Sequence, residues 1–164
     1  MEELEIYYNN KKLINDYFLK PSETQIEPKI KYNFNENNLY TLIMYDPDAV
    51  NGTHIHWLVT NIKNNIKNSK ILLPYKGPAP PPKTGKHRYI FELYRQPEML
   101  NVEPFEQRSI SINLLRNKLN VSNYISKIKF ISQNESGGKH KRTKRRKGTK
   151  GKRGCKKTKR NRKY

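Results

Sequence analysis

The chain has 164 residues, with 34 Lys and Arg against 14 Asp and Glu, a formal charge of +20 that is very unevenly placed. Sixteen of the basic residues and no acidic one fall in 136–164, so residues 1–135 hold 18 basic and 14 acidic groups, a net of +4. A mildly basic body followed by a polycation confines nucleic-acid-type charge to the last 29 residues, and the single cysteine, Cys155, excludes an internal disulfide or a thiolate-only zinc site.

The N-terminal MEELEIYY is acidic and has no basic n-region followed by an apolar stretch, so no secretory signal is expected. The longest apolar run, around 40–45, is far short of the roughly 20 residues that cross a bilayer. These features predict a soluble intracellular protein, cytoplasmic or nuclear, whose sequons at Asn51, Asn120 and Asn134 stay unglycosylated. In chain order, residues 4–8 alternate weakly, and 29–34 alternate through Ile30, Tyr32 and Phe34. Residues 39–45 form an apolar run that ends at Asp46-Pro47. Asn51-Gly52 is a tight-turn signal before the β-branched run 57–62. A short strand is predicted at 71–73, then a stiff irregular loop at 77–85 with four prolines, then an aromatic-rich strand at 89–94. The spacing of Ile112, Leu115 and Leu119 predicts one short helix over 109–119, and 127–132 reads as a last strand. Many short strands suggest an antiparallel sandwich rather than βαβ units. Two regions follow: a domain over 1–135 and a disordered Lys/Arg-rich tail over 136–164, whose like charges and lack of apolar groups cannot offset chain entropy.

The residues able to do chemistry are few. His54 and His56 are two apart, so on an extended chain they share a face. Asp46 and Asp48 end one predicted strand, and His87, Arg88 and Tyr89 start another. Together these groups suit a small polar or phosphorylated ligand. Each also has a plainer reading. Asp-Pro-Asp is commonly a turn, His-x-His a pair of surface or core residues, and Trp57, Phe91 and Tyr94 core. Arg88 reads as a structural ion pair with Asp48 or Glu92. A metal at the histidines is the minority alternative.

In combination the segments are specific. Residues 40–62, YTLIMYDPDAVNGTHIHWLVTNI, and 77–96, GPAPPPKTGKHRYIFELYRQ, resemble the two signature blocks of the phosphatidylethanolamine-binding protein family. LKPSETQ at 19–25 and PKIKY at 28–32 extend the resemblance over about 4–133. It implies a mainly β fold, a large antiparallel sheet packed on a smaller one, with a small anion pocket at one edge. It places Asp46, His56, His87 and Tyr89 in the pocket, His54 at its entrance, and Pro80 and Pro81 in its wall. Asp48 and Arg88 are implied as structural support. Val50 stands where the family motif continues with proline, so a trans peptide and an altered turn are expected. The chain also runs into the basic tail where many relatives carry a C-terminal helix bordering the pocket.

Physically, an anion facing Asp46 requires imidazoles and backbone amides as donors, with Asp46 orienting a histidine. A carboxylate beside an imidazole favours the cation, so phosphate binding is expected to weaken as pH rises. No hydroxyl has an evident base partner, so no enzymatic activity, no metal and no cofactor are expected. The leading function is therefore a non-enzymatic binding protein for phosphate or phosphoethanolamine-type head groups. One alternative is an interaction protein that regulates a kinase or protease by reading a phosphorylated partner, and another is a metal-dependent hydrolase using His54, His56, His87 and Asp46. The tail suits a nucleic acid or an anionic membrane without sequence preference. The Lys/Arg/Thr tail and the Asn/Lys/Ile/Tyr-rich body look like proteins of giant DNA viruses, which adds packaging in a virion to the expected locations.

Overall fold

The computed structural model describes residues 3–135, and the tail expected at 136–164 lies outside them. Nine strands run in the order β1 (Glu5–Tyr8), β2 (Lys11–Lys12), β3 (Tyr17–Phe18), β4 (Lys29–Lys31), β5 (Leu39–Asp46), β6 (His54–Ile62), β7 (Lys70–Leu73), β8 (Lys86–Gln96) and β9 (Tyr124–Gln133), with the helix α1 (Ile112–Lys118) between β8 and β9. They form a six-stranded sheet in the order β3-β9-β8-β5-β6-β7 and a three-stranded sheet in the order β2-β1-β4. All pairings are antiparallel except that of β3 with β9, which is parallel at the sheet's edge.

β5 is apolar on both faces because the large sheet is covered on both. Tyr40, Leu42 and Met44 point toward the small sheet, where they meet Leu4, Ile6, Tyr8, Phe91 and Phe130. Ile43 and Tyr45 point the other way, into a second core with Leu58, Tyr94, Leu115 and Leu119. This parity carries through β8, where His87, Tyr89, Phe91 and Leu93 alternate with Ile90, Glu92 and Tyr94.

Local departures from the sequence reading have identifiable causes. The helix starts at Ile112 and not at residue 109, because the chain before it runs extended beside β6. There Ile55 N–H donates to the Arg108 carbonyl at 2.8 Å, Ile110 N–H to the Thr53 carbonyl at 3.3 Å, and His54 bridges Ser109. β4 stops at Lys31, after which Tyr32 and Phe34 pack edge-on against Tyr40 with ring centres 5.8 and 5.2 Å away. The connection from β5 to β6 is a seven-residue loop, 47–53, with Gly52 at φ +87°, and not a two-residue turn. Its peptides are trans, including the one before Val50, as among all described residues.

Glu92 is the one acidic side chain of the second core, fully buried, and it is heavily partnered. Tyr45 Oη–H donates to it at 3.0 Å, Arg116 Nη2 at 2.6 Å and Lys127 Nζ at 3.0 Å, and Tyr94 Oη–H donates as well. Burial alone would raise its carboxyl, but these donors outweigh burial and hold it below the usual carboxylate range. Arg88 pairs instead with Asp48.

Candidate functional site

The C-terminal end of β5, the start of β6, the start of β8 and the end of β9 meet at one end of the large sheet. On the face toward the small sheet they present Asp46, His54 and His56, His87 and Tyr89, and Ser132. Strand parity supplies most of this. After His56 there is a β-bulge: Met44 pairs with Trp57 and Tyr45 with Ile55, so His56 is the extra residue. The bulge lets both His56 and Trp57 face Tyr89's side of the sheet.

Asp46 is held from both sides. Its Oδ1 accepts the Asp48 amide at 2.8 Å, and its Oδ2 accepts His87 Nδ1 at 2.7 Å. Asp48 in turn takes a bidentate pair from Arg88, at 2.8 and 2.7 Å, plus the Arg88 amide at 2.9 Å. The Arg88 guanidinium and amide hold the Asp48 carboxyl below its usual range. Asp46, His56, His87 and Tyr89 are all buried, at 3, 5, 1 and 1 % exposure, so the cluster is closed down and not an open cleft.

His87 is connected outward by one bond. Its Nε2 lies 2.8 Å from Thr84 Oγ1, and that hydroxyl also lies 2.8 Å from the Pro81 carbonyl. Thr84 has a single hydroxyl proton. If the proton points at Pro81, the ring nitrogen must donate, and His87 then carries two ring protons against Asp46. If it points at Nε2, the ring carries one. Thr84 is exposed, on a turn where Lys83 and Gly85 adopt φ +67° and +84°, so it caps a buried imidazole from the surface. Pro80 is buried and its carbonyl accepts from Asn134 Nδ2 at 3.0 Å, whereas Pro81 is exposed.

Asp46 pairs with His87, and the charge of His56 is set instead by burial. His56 Nδ1–H donates to the Lys76 carbonyl at 2.7 Å, and burial first, then nearby His54, Arg108 and Lys76, push its pKa down to about 4. The ring is therefore neutral at pH 7, and its Nε2 is an acceptor. His54, whose ring centre is 4.9 Å from that of His56, is also lowered, first by burial and then by Lys76 and Arg108. Positive charge at this rim comes from Lys76 and Arg108, not from these two imidazoles. Neither was legible from sequence as a site residue. Arg108 donates to the carbonyls of Ile55, His56 and Pro74 at 3.1, 3.1 and 2.8 Å, bonds between distant segments that no local pattern announces. Tyr89 stacks on Phe130 at 5.2 Å and meets His56 edge-on at 5.1 Å, and burial, then Asp46, raises its phenol well above the usual range.

The neutral His56 makes stability pH-dependent. Its folded pKa lies below the ordinary 6.5, so the unfolded chain takes up the proton first. The stability is full above about pH 6.5 and is lost as pH falls toward 4, by roughly 3 kcal/mol in all. Urea titrations across pH 4–7 check this, with His56→Phe expected to flatten the slope. Ser132 is a third residue that sequence did not flag. It is cross-strand from His87, fully buried, and its Oγ has no hydrogen-bond partner among the described residues. Removing an unpaired hydroxyl relieves its desolvation cost, so Ser132→Ala is expected to raise stability by about 1 kcal/mol in a thermal melt.

As a metal centre the cluster has little to offer, because both ring nitrogens of His87 and Nδ1 of His56 are already hydrogen-bonded. Among the described residues no group of three or more His, Cys, Asp or Glu is placed to hold an ion.

The sequence profile of the family described as phosphatidylethanolamine-binding protein matches residues 8–134. The chain belongs to the phosphatidylethanolamine-binding protein family. A 26 kDa secreted antigen of Toxocara canis is 39% identical over 90 residues, covering 51% of this chain and 34% of that protein. Protein MOTHER of FT and TFL1 homolog 2 of rice, Oryza sativa subsp. japonica, is 35% identical over 97 residues, covering 54% and 55%. The chain thus spans about a third to just over half of these relatives. Among solved structures, a carboxypeptidase Y inhibitor in complex with its cognate proteinase superposes with a TM-score of 0.72 at 21% identity, covering 82% of this chain and 84% of that one. The phosphatidylethanolamine-binding protein of Plasmodium vivax gives 0.67 at 21% identity, covering 82% and 86%. These likenesses give the family's fold. No helix among the described residues is long and apolar enough to cross a membrane.

Proposed function

We propose that this family member is a non-enzymatic binding protein whose Asp46–His87 pocket takes a phosphate or phosphoethanolamine-type head group, and whose tail takes polyanions. The observation that carries the pocket reading is the chain Asp46–His87–Thr84. A buried imidazole is fixed by a carboxylate on one nitrogen and capped on the other only by an exposed hydroxyl. A ligand oxygen replaces Thr84 Oγ1 at Nε2, so the site exchanges one hydrogen bond for a charge-assisted one without exposing the ring. Lys76 and Arg108 supply the attracting field, His54 and Tyr89 line the approach to His56, and Pro80 and Pro81 belong to the loop that carries Thr84.

His56 Nε2 sharpens the reading, because a lone pair there repels a fully ionised phosphate. Binding therefore brings a proton, either onto His56 or with the ligand as a monoanion. Affinity falls as pH rises, the direction expected from sequence, through proton uptake on binding. Calorimetry of phosphoethanolamine at pH 5.5–8.5, in buffers of different ionisation enthalpy, tests this. The reading predicts proton uptake close to one per ligand and loss of binding in His87→Ala. A flat pH profile, or equal binding by His87→Ala, defeats it.

The second reading, regulation of a protein partner, uses the same chemistry on a phosphorylated side chain, and the fold shared with the carboxypeptidase Y inhibitor keeps it in view. For the tail, sixteen cations in 29 residues suit counterion release. If about five phosphates were contacted, log K would fall with a slope of roughly −4.5 against log salt.

A further inference from the structure

Sequence alone gives no hydroxyl an evident base partner, but the fold supplies one. Thr84 Oγ1 lies 2.8 Å from His87 Nε2, and His87 Nδ1 lies 2.7 Å from Asp46 Oδ2. Hydroxyl, imidazole and carboxylate thus form a series, each within hydrogen-bond reach of the next. That is the arrangement that activates a hydroxyl as a nucleophile. His87 and Asp46 are buried whereas Thr84 is exposed, so the end of the series that meets solvent is the hydroxyl.

The backbone fixes this hydroxyl in place. Lys83 and Gly85, on either side of Thr84, adopt φ +67° and +84°, and a residue with a side chain seldom takes the conformation seen at Lys83. The loop before it is tied at two points. Gln25 Nε2–H donates to the Pro78 carbonyl at 2.8 Å, and Asn134 Nδ2–H donates to the Pro80 carbonyl at 3.0 Å. On the other side β8 begins at Lys86, paired with Gln133 of β9. A hydroxyl held this way is ordered before any reagent arrives. The Pro81 carbonyl, 2.8 Å from the same hydroxyl, competes for its proton. An imidazole nitrogen is a stronger base than an amide carbonyl. The singly protonated ring therefore draws the Thr84 proton to Nε2 and turns its own proton, on Nδ1, toward Asp46.

We propose that Thr84 is a nucleophile that takes the acyl group of a small activated carboxylic ester, with His87, held by Asp46, as its base. Thr84 Oγ1 attacks the ester carbonyl carbon, and its proton passes to His87 Nε2. The bond from that carbon to the leaving oxygen then breaks, the leaving oxygen takes the proton from Nε2, and an ester at Thr84 remains. No further reactant enters. The step is one covalent modification and not a turnover, so it goes beyond anion binding without replacing it. The two exclude one another in time, because an anion at Nε2 occupies the base.

A fluorophosphonate probe, which labels activated hydroxyls and spares ordinary lysines and threonines, tests the inference on the full chain. One label per molecule is expected, placed at Thr84 by mass spectrometry of a digest. Thr84→Val changes an exposed position, so the fold is retained, and it is expected to lose the label. Thr84→Ser, which keeps a hydroxyl on the same carbon, is expected to restore it. His87→Ala leaves the hydroxyl without its base and is expected to slow labelling by about a hundredfold or more. An unlabelled wild type overturns the proposal, as does a label at another residue. Equal labelling of Thr84→Val or of His87→Ala overturns it too. Excess phosphoethanolamine is expected to slow the reaction. Labelling at Thr84 that phosphoethanolamine leaves unchanged upholds the nucleophile and defeats the pocket reading instead.

Discussion

Asp46→Asn is expected to lower phosphate affinity by at least about tenfold while leaving the chain folded. Asp46 accepts two donors, the Asp48 amide at Oδ1 and His87 Nδ1 at Oδ2. An asparagine can accept only one of them through its oxygen. With the oxygen on the Asp48 amide, the Asn NH₂ faces His87, and Nδ1 must become the acceptor. The ring proton then sits on Nε2, where it can still donate to the ligand, but a second ring proton has no carboxylate to face, so the doubly protonated ring is no longer supported. A charge-assisted bond worth roughly 1.5–3 kcal/mol is lost, and 1.4 kcal/mol is already a factor of ten. Calorimetry with phosphoethanolamine measures it. Asp46→Ala is a poorer probe, because it leaves two buried donors unpaired and mixes stability with binding.

Glu92→Ala is expected to have the largest effect on stability, about 3 kcal/mol, with phosphate affinity unchanged. Removing the carboxylate leaves Arg116 and Lys127 facing one another without a counter-charge and strips Tyr45 and Tyr94 of their acceptor. Breaking a buried pair on one side costs about 3–5 kcal/mol, and the lower end applies because Arg116 and Lys127 keep partial access to water at 23 and 34 % side-chain exposure. Glu92 points into the second core, on the opposite face of β8 from His87, so the site is not perturbed. Urea unfolding gives the stability and the same calorimetry gives the affinity. A matching loss in both would mean that the two faces of the sheet are coupled.

Much of the architecture was legible because it is written locally. β5 reads as a doubly covered strand, and the two-residue period of β8 puts His87 and Tyr89 on one face. His54 and His56 share a face by the same rule. What was not legible depends on partners far away in the chain. β3 is two residues long and exists because Phe130 and Ile131 lie beside it. The helix begins late because residues 108–110 are drawn into extended bonding with β6. The bulge at His56 leaves no mark in composition. The neutral charge of His56 was not legible either, because the depth at which it is buried, and the two fixed cations near it, are properties of the assembled rim.

In the proposed pocket, His87 and His56 receive the anion together. Imidazole ¹⁵N and ¹H signals of the full chain, followed while phosphoethanolamine is added at pH 6.5, test it most directly. The His56 and His87 ring signals are expected to move together along one saturable curve, with His56 gaining its second ring proton or keeping its neutral signature beside a protonated phosphate. Signals of these two rings that stay fixed while that of His140, the histidine of residues 136–164, alone moves would contradict it, because the anion would then be held by the tail and not by the pocket.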